Sequence, residues 1–483
     1  MGFMTKISKR LILAGVVAGL LGAFVTPALA DMETLLDKLH EKGVLSDDDY
    51  EQMRTEARVE RRAQALKDAS ESEKSAKRSE SAATEMTGRF KDGVAWESGD
   101  KKTAFSVNGR IQGDYRMFEK NTAPNTFDVR RAYLGVKGKF YNDITFNLTG
   151  DFANTNATGT NTSIQLDEAY VNFGWIKSAQ LRVGQFQMPF SLEKITSDLF
   201  NNFQERNIGD TMAPDKVRGL MVTGSPTTGL YYAVAVANGN GAKNANDTNT
   251  VVDGKEGIGR VAVNFAEMFG QKQAVYHFGG SYADTTLPTG ASAFSGSTEA
   301  RGIKFFIPDA FAGSTVERKQ TGLETALAYG PVKLQAEAIT SNYTGTATGG
   351  VDYDKDIKAY YASLVWMITG ENYADSYSNS VFTRIRPNSN FTGHGDGWGA
   401  WELGVRVSKW DAGDFSTGVP GTGLISAGTA KANAMTVGLK WIVNPNTRFL
   451  VNYVHTKFDT PVAVNGSTVD AEKAATLRAQ FDF

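Results

Sequence analysis

The chain has no cysteine in 483 residues, so a disulfide framework and a thiolate metal site are both excluded. Proline is scarce at 12. Histidine occurs only four times, as His40, His277, His394 and His455, and no local motif sets any of them beside a nucleophile. The expected catalytic, cofactor-binding and metal-binding residues are therefore none, and the chain is not read as an enzyme. Asn244–Asp253 alternates Asn and Asp without the pattern of a calcium loop. No phosphate-cradling loop and no nucleic-acid-binding module is visible. After residue 24 there is no apolar run long enough for a spanning helix.

What the chain does have is alternation. Its last eight residues place Leu477, Ala479, Phe481 and Phe483 on one strand face and Thr476, Arg478, Gln480 and Asp482 on the other. An apolar strand face with no later segment to cover it suits a bilayer, where only a closed barrel satisfies strand hydrogen bonds. The same period of two starts near Gly88. Phe105, Val107, Ile111, Tyr115 and Met117 alternate with polar residues, as do Ile144, Phe146 and Leu148, then Trp401, Leu403, Val405 and Val407, and Met435, Val437 and Leu439. The opposite faces carry Arg131, Tyr133, Lys137, Lys139, Glu337, Arg406 and Lys440. Charged inner faces repeated this often need water, which predicts an aqueous lumen.

The N-terminus predicts export. Lys6, Lys9 and Arg10 precede the short apolar stretch Leu11–Phe24, and Ala28-Leu29-Ala30 is a small-x-small cleavage site, so residues 1–30 read as a signal peptide. Residues 31–87 read as a periplasmic α-helical or coiled-coil arm and linker. Leu35, Leu36 and Leu39 share a face of its first helix, Gly43 ends that helix, and Ser46 caps a second one over about Asp47–Asp68. Residues 69–87 read as a polar linker. Residues 88–483 read as the barrel, with 38 basic and 38 acidic residues, so any selectivity must come from where charges sit. At roughly 25 residues per strand with its share of loop, this length predicts about 16 antiparallel transmembrane strands.

Short turns at Tyr329-Gly330-Pro331 and Asn444-Pro445-Asn446 suit the periplasmic side. Asn238–Gly257, Thr285–Ala300, Ser341–Asp354, Glu371–Gly397 and Asp411–Lys431 suit extracellular loops. Gln187–Lys216 breaks the alternation and mixes Phe190, Phe200 and Phe203 with charges. It is expected to fold inward and constrict the pore, with its aromatics on the wall.

The runs Arg130-Arg131-Ala132-Tyr133-Leu134, Leu166-Asp167-Glu168-Ala169-Tyr170-Val171, Arg182-Val183-Gly184-Gln185-Phe186 and Ser191-Leu192-Glu193-Lys194-Ile195-Thr196-Ser197, followed by Glu205-Arg206, resemble the phosphate-selective porin O and P family in order and spacing. The resemblance implies a 16-stranded, homotrimeric barrel of the Gram-negative outer membrane that passes anions. It implies a central site at Arg130, Arg131, Tyr133, Asp167, Lys194, Ser197 and Arg206, beside the lumen-facing Lys137 and Lys139. Parity places Arg131 and Tyr133 in the lumen but sends Arg130 outward, and Asp167 shares that difficulty. Two departures weaken the phosphate pattern: Thr145 stands where a lysine aligns, and Asp198 where a hydroxyl aligns. The expected function is passive diffusion of small anions, phosphate or another oxyanion among them, through a basic constriction at Lys194, Arg206 and Arg131. The alternatives are a general unselective diffusion porin, or a structural tether between outer membrane and cell wall. Expected partners are outer-membrane lipid, small anions, further copies of the chain and a periplasmic partner for the arm, with no nucleic acid.

Overall fold

A computed structural model describes residues 27–90, 93–153, 163–239, 254–395 and 397–483. Most of the predicted export signal lies outside them. The chain divides at Glu85 into two compact units.

The first unit is helical. Helix α1 (Pro27–Glu41) ends where Gly43 adopts a φ of 68° and Val44 N–H returns to the Leu39 carbonyl at 3.0 Å, the bonding that a left-handed C-terminal residue permits. Helix α2 (Asp47–Thr84) starts at Ser46, whose Oγ accepts from Asp49 N–H at 3.2 Å. His40 stacks on Tyr50, and Tyr50 donates to Asp37 at 2.6 Å, so the two helices fold against each other. The second helix does not stop near Asp68. The segment expected as a linker is helical to Thr84, because its Ala, Glu, Lys and Arg are strong helix formers even without a face to bury. Met86–Phe90 then forms a strand.

The second unit is a closed antiparallel barrel of 16 strands. In chain order they are β1 (Ala104–Phe118), β2 (Thr126–Phe140), β3 (Ile144–Asp151), β4 (Gln165–Phe173), β5 (Gln180–Gln187), β6 (Lys216–Thr227), β7 (Leu230–Asn238) and β8 (Lys255–Asn264). There follow β9 (Ala274–Leu287), β10 (Val316–Tyr329), β11 (Val332–Ala347), β12 (Val351–Met367), β13 (Ala400–Asp411), β14 (Lys431–Asn444), β15 (Thr447–Val464) and β16 (Ser467–Asp482). Each pairs with its neighbour, and β16 closes on β1 with Leu477 opposite Tyr115. Alternation decides the faces: in β13, Leu403, Val405 and Val407 are exposed on the outer wall, while Glu402, Arg406 and Ser408 are buried inside. A hairpin of Met86–Phe90 and Val94–Ser98 joins the same edge of β1, with Val94 opposite Val107. Between this hairpin and β16, Phe483 exchanges two 3.0 Å backbone bonds with Gly109. A Cβ at Gly109 would meet the Phe483 ring at 2.7 Å, so only glycine leaves room for that ring.

One rim carries mostly tight turns, at 141–143, 228–229, 330–331 and 445–446, and by the usual asymmetry of such barrels it faces the periplasm. The expected loop Glu371–Gly397 lies at this rim, between β12 and β13, and not on the extracellular side. Its Gly, Asn and Ser content carried no information about side; strand parity does. Ser341–Asp354 is also no long loop: β11 and β12 run through it as paired strands around the turn 348–350. At the opposite rim, residues 288–315 and 412–430 are tied by a small sheet of Gly296–Ser297, Lys304–Pro308 and Ile425–Gly428. Phe305, Phe306, Phe311 and Phe415 pack there with Trp410 and Tyr343.

Candidate functional site

The segment between β5 and β6 folds into the lumen. Phe203 is buried beneath the Arg406 guanidinium, 4.7 Å from its ring, and Phe200 lies under Arg448 at 5.6 Å. The aromatics therefore pack on the wall, as expected. A short helix, α3 (Leu192–Ile195), begins at Ser191, which caps it from a φ of 65°. Its Glu193 meets Arg406 of β13 at 3.1 Å, and Arg406 also grips Glu299 of the 288–315 loop at 2.6 Å. Glu299 further accepts from Ser408 at 2.6 Å, Thr436 at 2.5 Å and the Ile208 N–H at 3.2 Å. One wall arginine, 1% exposed in its side chain, thus anchors two inward loops.

Eight of the nine expected site residues fall into three groups, and Asp167 stands apart on β4. Arg130, Arg131 and Tyr133 lie together on β2. A register shift opposite Gln112 and Gly113 leaves Arg130 without a cross-strand partner, so it turns inward beside Arg131 despite its parity. Arg130 pairs with Glu205 of the loop at 2.9 Å. Arg131 pairs with Asp198, which Arg110 of β1 also reaches, and donates to Gln112 at 2.8 Å. Arg110 stacks over the Tyr133 ring at 4.3 Å. A second shift, between Thr149 and Gly150, does the same for Asp167, which pairs inside with Lys216. Both bulges resolve the conflict that alternation alone created.

Lys194, Ser197 and Arg206 form the second group and serve the loop itself. Lys194, 6% exposed, reaches Asp210 at 3.3 Å. Arg206 donates to the carbonyls of Glu193, Lys194 and Thr196 at 3.0–3.2 Å. Ser197 Oγ accepts from Leu199 N–H at 3.4 Å. Lys194 and Arg206 brace the loop from within, while Arg110, Arg131 and Lys216 stand on the barrel wall beside it. The third group, Lys137 and Lys139, sits lower on β2, where Lys137 is exposed and Lys139 lies 3.7 Å from Glu97 of the hairpin.

Charge around the loop is unequal. Six arginines, Arg110, Arg116, Arg130, Arg131, Arg301 and Arg478, meet four carboxylates, Asp114, Asp128, Asp198 and Glu205. Burial raises the Glu205 carboxyl, but Arg130, Arg478 and Arg131 outweigh it and hold it well below its ordinary range. It stays ionised, and the cluster keeps a surplus of two positive charges.

A family model of phosphate-selective porin O and P matches residues 105–483. The chain belongs to that family. It is an outer-membrane porin. It is 27% identical to Porin O of Pseudomonas aeruginosa over 412 residues, covering 78% of this chain and 88% of that protein. Its fold is similar to that of the anion-selective porin from Comamonas acidovorans, with a TM-score of 0.50, 12% identity, and coverage of 79% of this chain and 100% of the other.

Toward the short-turn rim the porin has a lumen chamber of about 760 Å³, lined by Thr145, Asn172, Arg182, Thr223, Tyr231 and Arg260 among others. Arg182 of β5 lies 4.3 Å over the Tyr170 ring, and its Nε has no hydrogen-bond partner. Residues 373–382, from the segment between β12 and β13, enter this porin's lumen from the short-turn rim. Ser380 Oγ accepts from Arg260 at 2.8 Å, and Tyr377 meets His277 at 2.7 Å. His277 is locked between Tyr377 and Glu324, the latter at 3.0 Å. Arg406 is legible in the sequence as a polar-face residue and Arg182 only as part of a family-like run, and nothing there separates either from an ordinary wall charge.

Proposed function

We propose that this porin conducts small anions passively and holds no tight phosphate site. The carrying observation is the surplus of guanidinium charge around the inward loop, continued by Arg182 in the chamber below. Anions are enriched electrostatically and pass along arginine faces stacked on tyrosine, where binding stays weak enough for release. Asp198 and Thr145 argue for weak binding: one already occupies Arg110 and Arg131, and the other supplies a neutral hydroxyl in the chamber. No step of turnover is needed, so the lumen works as a channel and not as an enzyme. The working unit is proposed to be a homotrimer.

Arg182→Gln tests the chamber. In a planar bilayer with a KCl gradient, the anion-to-cation permeability ratio is expected to fall roughly twofold, a modest change because water screens a chamber this wide. An unchanged ratio would remove Arg182 from the path. Residues 31–85 are proposed as a periplasmic arm for a partner, outside the conduction path. Deleting them is expected to leave single-channel conductance and reversal potential unaltered; loss of conductance would make the arm part of the channel.

A further inference from the structure

The outer wall of β12–β15 combines two features at opposite ends. Near the short-turn rim, Trp401 stacks on Trp441 at 5.3 Å and Trp441 on Phe449 at 5.8 Å, an aromatic girdle of the kind that meets lipid. Eight residues further along each strand stand Lys409, Asn433 and Lys457. Eight residues of strand rise about 27 Å, or roughly 20 Å along the membrane normal at the usual tilt. The two levels thus bracket an apolar band, and Lys409 and Lys457 lie at the interface of the outer leaflet.

Asn433 faces Lys409 on one side and Lys457 on the other, so the two lysines are two strands, about 10 Å, apart. They rim a shallow groove of about 600 Å³ whose floor includes Tyr360, Val407 and Met435, with His455 at its edge. No ion pair engages either lysine among the described residues. The carboxylates near them are otherwise placed: Asp411 pairs with Lys431 at 3.2 Å, and Asp459 is exposed beyond Lys457. Two unpaired ammonium groups over an apolar groove at this depth complement an anionic headgroup carried on acyl chains.

We propose that this groove binds a phosphate-bearing lipid of the outer leaflet, with Lys409 and Lys457 holding the phosphate and the apolar floor an acyl chain. The site is separate from the lumen and does not depend on the proposed ion selectivity. Basic side chains at an anionic membrane surface contribute about a factor of five each in affinity.

The test uses full-length porin and the double variant Lys409→Gln/Lys457→Gln in detergent, titrated with diphosphorylated lipid A and followed by native mass spectrometry. The variant is expected to lose affinity roughly twenty-five-fold. Dephosphorylated lipid A is expected to bind the parent protein as weakly as the diphosphorylated form binds the variant. Unchanged conductance and heat-modifiable migration would show that the variant is folded. Equal lipid A affinity in both proteins would overturn the proposal, as would undiminished binding of the dephosphorylated lipid. A change of oligomeric state in the variant would also overturn it, since the face would then be an interface between copies of the chain.

Discussion

Replacing Asp198 by serine is expected to create phosphate block where the parent porin shows little. Asp198 is shared by Arg110 and Arg131, one carboxylate oxygen to each. Serine removes a negative charge and leaves two neighbouring guanidinium groups, one of them stacked on Tyr133, free to fork onto an oxyanion. At about 4 Å and an effective dielectric near 20, one charge is worth about 4 kcal/mol before screening. If only a third of that survives, phosphate affinity rises about tenfold. Chloride current titrated with phosphate measures this directly, and the reversal potential in a KCl gradient should shift further toward anions. Asp198→Asn should give most of the charge effect. If neither variant changes phosphate block, the arginine pair does not face the permeating ion.

Replacing Arg406 by methionine is expected to open the pore. Its guanidinium spans Glu193 on one inward loop and Glu299 on the other, and also donates to the carbonyls of Glu205 and Arg206 at 3.1 and 3.3 Å. Methionine fills similar space but leaves two buried carboxylates uncompensated, which costs about 3–5 kcal/mol. Releasing the loops is the cheapest relief, because the strands around them are held by complete ladders. Single-channel conductance should rise several-fold while anion selectivity falls. Adding Glu193→Gln and Glu299→Gln removes the stranded charges and should restore much of the narrow conductance. An Arg406→Met pore of parental conductance would show that the apolar packing of Phe203 and Leu192 alone seats the loop.

The barrel was legible because its strands meet lipid on one side and water on the other, so each writes an alternation into the sequence. Ser46, Gly43 and the inward loop were legible for the same local reason: each needs a particular residue type at one place. Arg130 and Asp167 were not, because a bulge belongs to a pair of strands and cannot be seen in one. The upper part of the β11–β12 hairpin, Ser341–Asp354, reads as a loop because its Gly, Thr and Asn suit turns, whereas pairing with a neighbour overrides that preference. The partners of Arg406 lie 213 and 107 residues away in sequence, which no local pattern reports.

The edge of β1 is shared between two tenants. β16 and Phe483 occupy it from Phe118 down to Gly109, and the strand Val94–Ser98 continues the same line from Val107 to Ala104. Only Asn108 separates them, and a Cβ on Gly93 would already meet the Phe483 carbonyl carbon at 3.0 Å. The hairpin therefore acts as a stop for the seam. If β16 slid toward the periplasm by one repeat of the ladder, Phe483 would run into Val94. The closing strand is thus barred from slipping toward the periplasm, and the porin's seam is held from that side at the point where the sheet meets itself.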